Sequence, residues 1–355
     1  MKPNKDQTET IQQSVIQAIK SQTPLQIIGG ASKSFYGGIP EGKPLFMTAH
    51  QGIVNYHPSE LVITARTGTL LSEIEQTLAE QGQMLAFEPP YFSPSATLGG
   101  TIACGFSGAR RPFTGSVRDF VLGCKIINGK GEVLSFGGEV MKNVAGYDVS
   151  RLMVGAMGTL GVLLEVSLKV LPKPAVENTR VFELSAVEAL ARMLELSKQS
   201  LPLSGLSFDG TKLAVRLSAS DKAVKQAITR LGGDELNDAD DFWRDCKEHQ
   251  HDFFKNTADL WRLSIPPATP ELNLSGEWFY EWGGAQRWLK STEENKAIFL
   301  MAEKVEGHAT LFRTENRSAE LFQPMPSVLK KLNKNIKLAF DPHGIFNPNR
   351  LSEAG

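Results

Sequence analysis

Five glycines fall within the 24 residues from Ala96 to Asp119, ATLGGTIACGFSGARRPFTGSVRD. Each of Gly99, Gly100, Gly105, Gly108 and Gly115 costs backbone entropy on folding. Each can also take a positive φ or let a ligand touch the main chain. Loops of this composition expose runs of N–H groups that cradle anions, phosphates above all. Two companions sharpen the constraint. Gly29-Gly30-Ala31-Ser32-Lys33-Ser34 follows directly on a short apolar strand candidate, Leu25 to Ile28, and Gly155, Gly158 and Gly161 recur every third residue. Three separated glycine clusters predict a fold that brings several turns together around one phosphate-bearing ligand. No G-x-G-x-x-G or G-x-x-x-x-G-K-[ST] occurs, so neither the Rossmann fingerprint nor the P-loop accounts for them.

The chain has 355 residues, long enough for two domains. Its net charge of −1 gives no basic footprint for nucleic acid and no polybasic membrane patch. Cys104, Cys124 and Cys246 lack C-x-x-C spacing, which excludes a disulfide framework or a thiolate zinc site as the organising principle. The opening MKPNKDQTET has no apolar core of a secretory signal. The apolar uncharged run between Arg151 and Glu165 falls short of the roughly 20 residues a membrane span needs. The expectation is a cytoplasmic protein, peripheral at the inner membrane only through partners.

Helical spacing of Ile11, Val15, Ala18 and Ile19 predicts a helix over Gln7 to Ser21, ended by Pro24. Residues 25–87 alternate strand and helix, with strands at Leu61 to Arg66 and Met84 to Phe87 around a helix marked by Leu70, Leu71, Ile74 and Leu78. Val121 to Ile127, Asn128-Gly129 and Glu132 to Phe136 form a hairpin. From Val162 the alternation of apolar and polar residues predicts a half-buried strand. Pro172 and Pro174 mark a boundary, beyond which the pattern is antiparallel α+β with helices on one face. Asp234 to Asp241 is expected to be an acidic, solvated loop, and a helix around Val328 to Phe340 precedes a turn-rich return. The domains are therefore expected at 1–174, 175–335 and 336–355.

The series GGASKS, ATLGGTIACGFSG, GSVRDFVLG, KNVAGYDVSRLMVGAMGTLGV and DPHGIFNP resembles, in that order, the FAD-binding domain of the vanillyl-alcohol oxidase/para-cresol methylhydroxylase flavoproteins. KNVAGYD-SRLMVG, WGGAQRWLKST and GHAT make the chain most similar to the smaller FAD-binding (E) subunits of bacterial glycolate oxidase. The resemblance implies a two-subdomain, non-Rossmann FAD-binding domain followed by a reduced antiparallel α+β cap. It implies that Gly29, Gly30, Ala31, Ser32 and Lys33 lie along the pyrophosphate. Thr97, Leu98, Gly99, Gly100, Ala103 and Gly108 would line the ribityl and flavin region, and Gly158, Thr159, Gly161 and Val162 the adenine half. Many relatives carry in the first loop a histidine that bonds covalently to the flavin. Ala31-Ser32 stands there instead, which predicts noncovalent FAD.

Oxidation of a 2-hydroxy acid needs a base, a carboxylate clamp and a route for the hydride to the flavin. Arg110 and Arg111 are candidates for the clamp, with a structural ion pair as the competing reading. His249-x-His251 lacks a third metal ligand and reads as a solvated face, so no metal site is expected. His308 and His343 read as structural and turn residues; Tyr147-Asp148 reads equally as a cofactor contact or a cap. Trp278, Trp282 and Trp288 read as core. The metal-binding histidine pair and Glu-His-Gly signature of larger relatives are missing, as is any iron–sulfur motif. The resemblance therefore implies a flavin-binding subunit working beside a larger FAD-linked catalytic subunit and an iron–sulfur subunit. A self-sufficient 2-hydroxy acid dehydrogenase and a structural subunit with a vestigial flavin site stay open.

Overall fold

A computed structural model describes residues 5–138, 148–255, 259–317 and 320–351. The stretch Lys142 to Tyr147, most of the KNVAGYD motif, lies outside the described residues. The chain forms two compact units: residues 1–107, 115–172 and 324–355, and residues 108–114 with 173–323. The main boundary lies at Pro172, beside the expected 174. The two other divisions differ: Gly108–Thr114 joins the second unit, and the C-terminal return begins at Pro324, not at 336.

The first unit is built on a five-stranded antiparallel sheet in the order Ile53–His57, Val62–Arg66, Val162–Lys169, Val121–Ile127, Val133–Gly137. Val162–Lys169 lies at its centre, so it is buried on both faces: Ser167, expected on the polar face with Glu165 and Lys169, is buried, and so is Leu163. The register shows how. Lys125 pairs with Glu165 but Ile126 pairs with Leu163, leaving Leu164 as an extra residue in a bulge. Val162 and Leu164 consequently pack with the N-terminal helix, Thr8–Ser21, while Leu163, Val166 and Leu168 pack with the opposite core. That opposite core holds Leu71, Ile74 and Leu78 of helix Leu71–Ala79, each fully buried and worth about 1.5–3 kcal/mol.

Residues 25–87 depart from a simple alternation. Leu25–Ile28 pairs in parallel with Lys43–Phe46, a strand that Pro44 concealed from sequence reading. Of the expected third strand, Met84 to Phe87, only Met84 is extended, in the short strand Gln83–Met84 that pairs with Leu171–Pro172; Leu85, Ala86 and Phe87 turn inward to the core. The glycine-rich stretch is more regular than expected: Leu98–Cys104 is a helix capped by Thr97, whose Oγ1 accepts from the Gly100 amide.

The second unit carries an eight-stranded sheet, antiparallel throughout, running from Asp234–Glu235 at one edge to His308–Arg313 at the other. Leu213, Val215 and Leu217 meet helices Ala186–Leu196 and Asp221–Leu231 on one face. Ala214 and Arg216 alternate with them and meet Trp243 on the other. Trp243 belongs to helix Ala239–Glu248, so helices flank both faces, and the acidic stretch expected to be a loop opens a helix with Asp240 and Asp241 in its first turn. Carboxylates there complement the helix dipole.

Candidate cofactor-binding site

Within the first unit the ends of several elements meet at a cleft of about 420 Å³ measured to its open mouth. Ile27 and Gly29 line it from the end of the first strand, Met47 and Thr67 from the ends of two others. Helix Leu98–Cys104 presents Thr97, Gly99, Gly100 and Ala103; Met157, Gly158, Gly161 and Leu163 come from the third glycine cluster. Asn347, from the DPHGIFNP tail, completes the wall. All three glycine clusters thus reach one cavity, and none of these lining residues titrates.

Main chain forms much of the wall. A Cβ on Gly30 would lie 1.5 Å from the Ser95 carbonyl oxygen, and one on Gly29 2.5 Å from Thr97 Oγ1. Ala31 takes φ +54°, a left-handed conformation that curls the loop on itself. Among the described residues, the amides of Gly29, Gly30, Ala31 and Ser32 donate to no protein group. The second cluster differs. Leu98, Gly99 and Gly100 already donate to Thr69 O at 2.9 Å, Thr67 O at 2.8 Å and Thr97 Oγ1 at 3.3 Å. Its glycines therefore supply space, where the first loop supplies donors.

Two tail residues hold this geometry. Asn347, buried and at φ +41°, accepts from the Ile27 amide at 2.7 Å and donates to Met157 O at 2.7 Å. Arg350 donates to the carbonyls of Lys33 at 3.1 Å and Gly38 at 2.9 Å, bracing the first loop. Below them Lys337 Nζ bonds Asp341 Oδ2 at 2.6 Å and Thr159 O at 2.7 Å, while Asp341 accepts from the amides of Ile345 and Phe346.

The remaining expected residues sit elsewhere. Leu98 and Val162 are core side chains, and the Thr159 hydroxyl donates to Ala156 O. Lys33 is buried with its ammonium donating to Tyr91 O and Ser32 Oγ, both at 3.3 Å. Gly108 belongs to the second unit, where its carbonyl accepts from Trp282 Nε1. Ile27, Met47, Thr67, Met157, Leu163 and Asn347 escaped the sequence reading. Asn347 had a signal, since its motif was recognised; Thr67 follows the strand Val62–Arg66, where a ligand-facing residue is a reasonable guess.

In the second unit Arg110 is buried, donates to Ser218 Oγ at 3.0 Å and is ion-paired with Glu177. Burial opposes ionisation of Glu177, yet Arg216 and Arg110 together hold its carboxyl below the usual range. Arg111 stacks over Trp282 at 4.2 Å. The structure gives both arginines packing partners in this unit, the competing reading of the sequence. Tyr147 lies outside the described residues; Asp148 caps helix Val149–Leu152 by accepting from the Arg151 amide. The expected solvated face at His249 is not observed. Its ring stacks on Phe254 at 4.0 Å beside Trp288 and Phe312, and burial pushes its pKa well below the ordinary value. His251 instead turns toward Asp209, at 4.0 Å. No cluster of three metal-ligating side chains occurs among the described residues. His308 and His343 are both exposed, and Trp278 and Trp288 pack in the sheet as expected.

The sequence matches the FAD binding domain family over residues 6–137. It is 48% identical over 346 residues to glycolate oxidase subunit GlcE of Escherichia coli strain K12, covering 98% of this chain and 97% of that one. The chain belongs to the GlcE family. It is an FAD-dependent oxidoreductase subunit with FAD as its cofactor. Glycolate oxidase subunit GlcD of Bacillus subtilis is 30% identical over 166 residues, 46% of this chain and 35% of that one. D-lactate dehydrogenase of Anaerostipes hadrus is 33% identical over 148 residues, 41% and 31%. An alkyldihydroxyacetonephosphate synthase structure superposes with a TM-score of 0.67 at 15% identity, over 98% of this chain and 75% of the other, which establishes the shared fold. GlcE-family membership accounts for the α+β architecture and its non-Rossmann cofactor domain. No helix among the described residues is long and apolar enough to cross a membrane.

Proposed function

We propose that this chain is the flavin-binding subunit of a heteromeric glycolate oxidase, which oxidises glycolate, and D-lactate as a second substrate, to the 2-oxo acid. Electrons pass through a larger FAD-linked subunit to an iron–sulfur subunit. One observation carries the reading: near full-length identity to GlcE coincides with a cleft of backbone and small side chains at the three glycine clusters. The cleft's chemistry fits FAD. The unengaged amides of Gly29, Gly30, Ala31 and Ser32 suit a pyrophosphate, because successive N–H groups hold anions with little cationic help. Thr97, Gly99, Gly100 and Ala103 leave room for a flat ring system, and Gly158, Gly161 and Asn347 border the remaining length.

Bound FAD supplies acceptance of a hydride equivalent from the carbon bearing the hydroxyl. The chain's own residues bind and orient it. Among the described residues that line the cleft none is an acid or base, which supports assembly with a partner that provides the proton acceptor. Alanine and serine at positions 31 and 32 support a noncovalent attachment.

A visible spectrum tests the reading. The purified chain is expected to carry flavin that acid precipitation releases, and anaerobic glycolate is expected to bleach it only when the two partner subunits are present. Bleaching of the isolated chain would instead identify a self-sufficient dehydrogenase. A colourless chain that stabilises its partners without changing turnover would identify a vestigial site.

A further inference from the structure

Helix Ser327–Phe340 has no buried residue. Its apolar stripe runs Leu329, Leu332, Ile336, Phe340, spaced by three and four residues, which places all four on one side, and Met325 lies just ahead of the helix. The C-terminal end of the stripe is covered, for Ile336 and Phe340 pack on the core of the first unit. The other end is bare: Val328 is 77% exposed, Leu332 53% and Leu329 48%. Among the described residues, five of the ten exposed large hydrophobic side chains lie between Met325 and Leu338. Such concentration on one element marks an interaction surface, since scattered single residues are the norm.

The charge pattern selects the occupant. Between Pro324 and Phe340 there are four lysines and no acidic residue. Lys337 is neutralised by Asp341, which leaves Lys330, Lys331 and Lys334 as the helix's uncompensated charge. A second copy docking by two-fold symmetry would set this basic helix against itself, so self-association is disfavoured. A bilayer fits poorly too. At about 100° per residue Lys334 falls on the side opposite Leu329 and Leu332, turned away from any headgroups the stripe would meet. A protein groove with an apolar floor and carboxylates on its walls meets the stripe and also reaches Lys330 and Lys331 on the helix shoulders.

We infer that the N-terminal half of helix Ser327–Phe340, with Met325, docks into an apolar, carboxylate-rimmed groove of another subunit of the oxidase. The inference rests on the subunit reading above. It names the surface through which that subunit is held.

The test uses the full chain, affinity-tagged and co-expressed with the larger FAD-linked subunit and the iron–sulfur subunit. Leu329→Asp with Leu332→Asp is expected to lower the recovered partner at least tenfold. Lys330→Glu with Lys331→Glu is expected to do so severalfold, while Val54→Asp, an exposed apolar residue elsewhere on the first unit, leaves recovery unchanged. Flavin content and melting temperature of each isolated variant are expected to match the parent, which separates lost docking from lost folding. Undiminished recovery with the Leu pair replaced overturns the docking site and leaves the subunit reading intact. A parent chain that holds FAD but recovers neither subunit overturns both. Parent but not variant binding to anionic phospholipid vesicles, or a parent homodimer that the Leu pair dissolves, reassigns the surface and overturns the inference.

Discussion

The two units use opposite materials. In the first, the cleft is walled by five glycines, Thr67, Thr97, Ala103 and Asn347 beside the apolar Ile27, Met47, Met157 and Leu163, and the unengaged donors of its first loop are backbone amides. In the second, the sheet is filled by large rings and buried charges: Trp261, Phe279, Trp288 and Phe312 beside Arg216 and Arg287. Arg287 is fully buried and donates to the carbonyls of Gly284 at 3.1 Å and Pro270 at 2.8 Å, and to that of Thr269, which ties a loop to the sheet. Glu281, also buried, accepts from Gln286 Nε2 at 2.8 Å and Trp288 Nε1 at 2.7 Å. A backbone-built site tolerates few added atoms but owes little to any single side chain. A side-chain-built core has the reverse sensitivity.

Five substitutions probe that contrast. Trp261→Ala empties a fully buried position and is expected to cost about 3–5 kcal/mol. Calorimetry should locate the loss in the second unit while flavin per chain stays constant; loss of flavin would break the distinction. Gly30→Ala adds one carbon against the Ser95 carbonyl. It is expected to weaken FAD binding by tenfold to about a hundredfold, the equivalent of about 1–3 kcal/mol, with the second unit's melting unaffected. Fluorescence titration of the apo-chain measures it. Arg110→Met leaves Glu177 without one of its two cations and is expected to cost about 2 kcal/mol. The KM for glycolate of the assembled enzyme should not move; a large rise with unchanged stability would restore the carboxylate clamp. The smallest pair is Ser185→Ala and Thr97→Ala, each removing a helix N-cap at about 1 kcal/mol. Only Thr97→Ala should also lower FAD affinity, because only Thr97 lines the cleft.

The same contrast governs what could be read from residues alone. Elements with strong local signals were legible: the helix Thr8–Ser21 with Ile11, Val15 and Ala18 at helical spacing, the hairpin over Asn128-Gly129, and the helix Leu71–Ala79. Helix Ala239–Glu248 was not, because it buries only Trp243 and Cys246 and opens on acids that resemble a loop. At the cleft, glycine marks where backbone comes close to open space, and Gly29, Gly99, Gly100, Gly158 and Gly161 all line it. Ile27, Met47 and Leu163 carry no such mark, because an apolar residue facing a cleft has the same local pattern as one facing a core. Gly108 and Arg110 were misallocated to the first unit for a related reason. Seven residues contiguous with the glycine-rich stretch fold with the second unit, and nothing local marks that crossing. His249 was misread since its polar neighbours hid the aromatic rings that sequence-distant strands bring to it.

Asn347 spans 320 positions to reach Ile27 and 190 to reach Met157. During synthesis, the amino-terminal half of the first unit leaves the ribosome long before its last wall is made, and the whole second unit emerges in between. If the cleft is the cofactor's seat, loading is expected to be a late event that follows the folding back of the tail. A nascent chain stalled short of residue 347 should exclude the dinucleotide however well its earlier strands have paired.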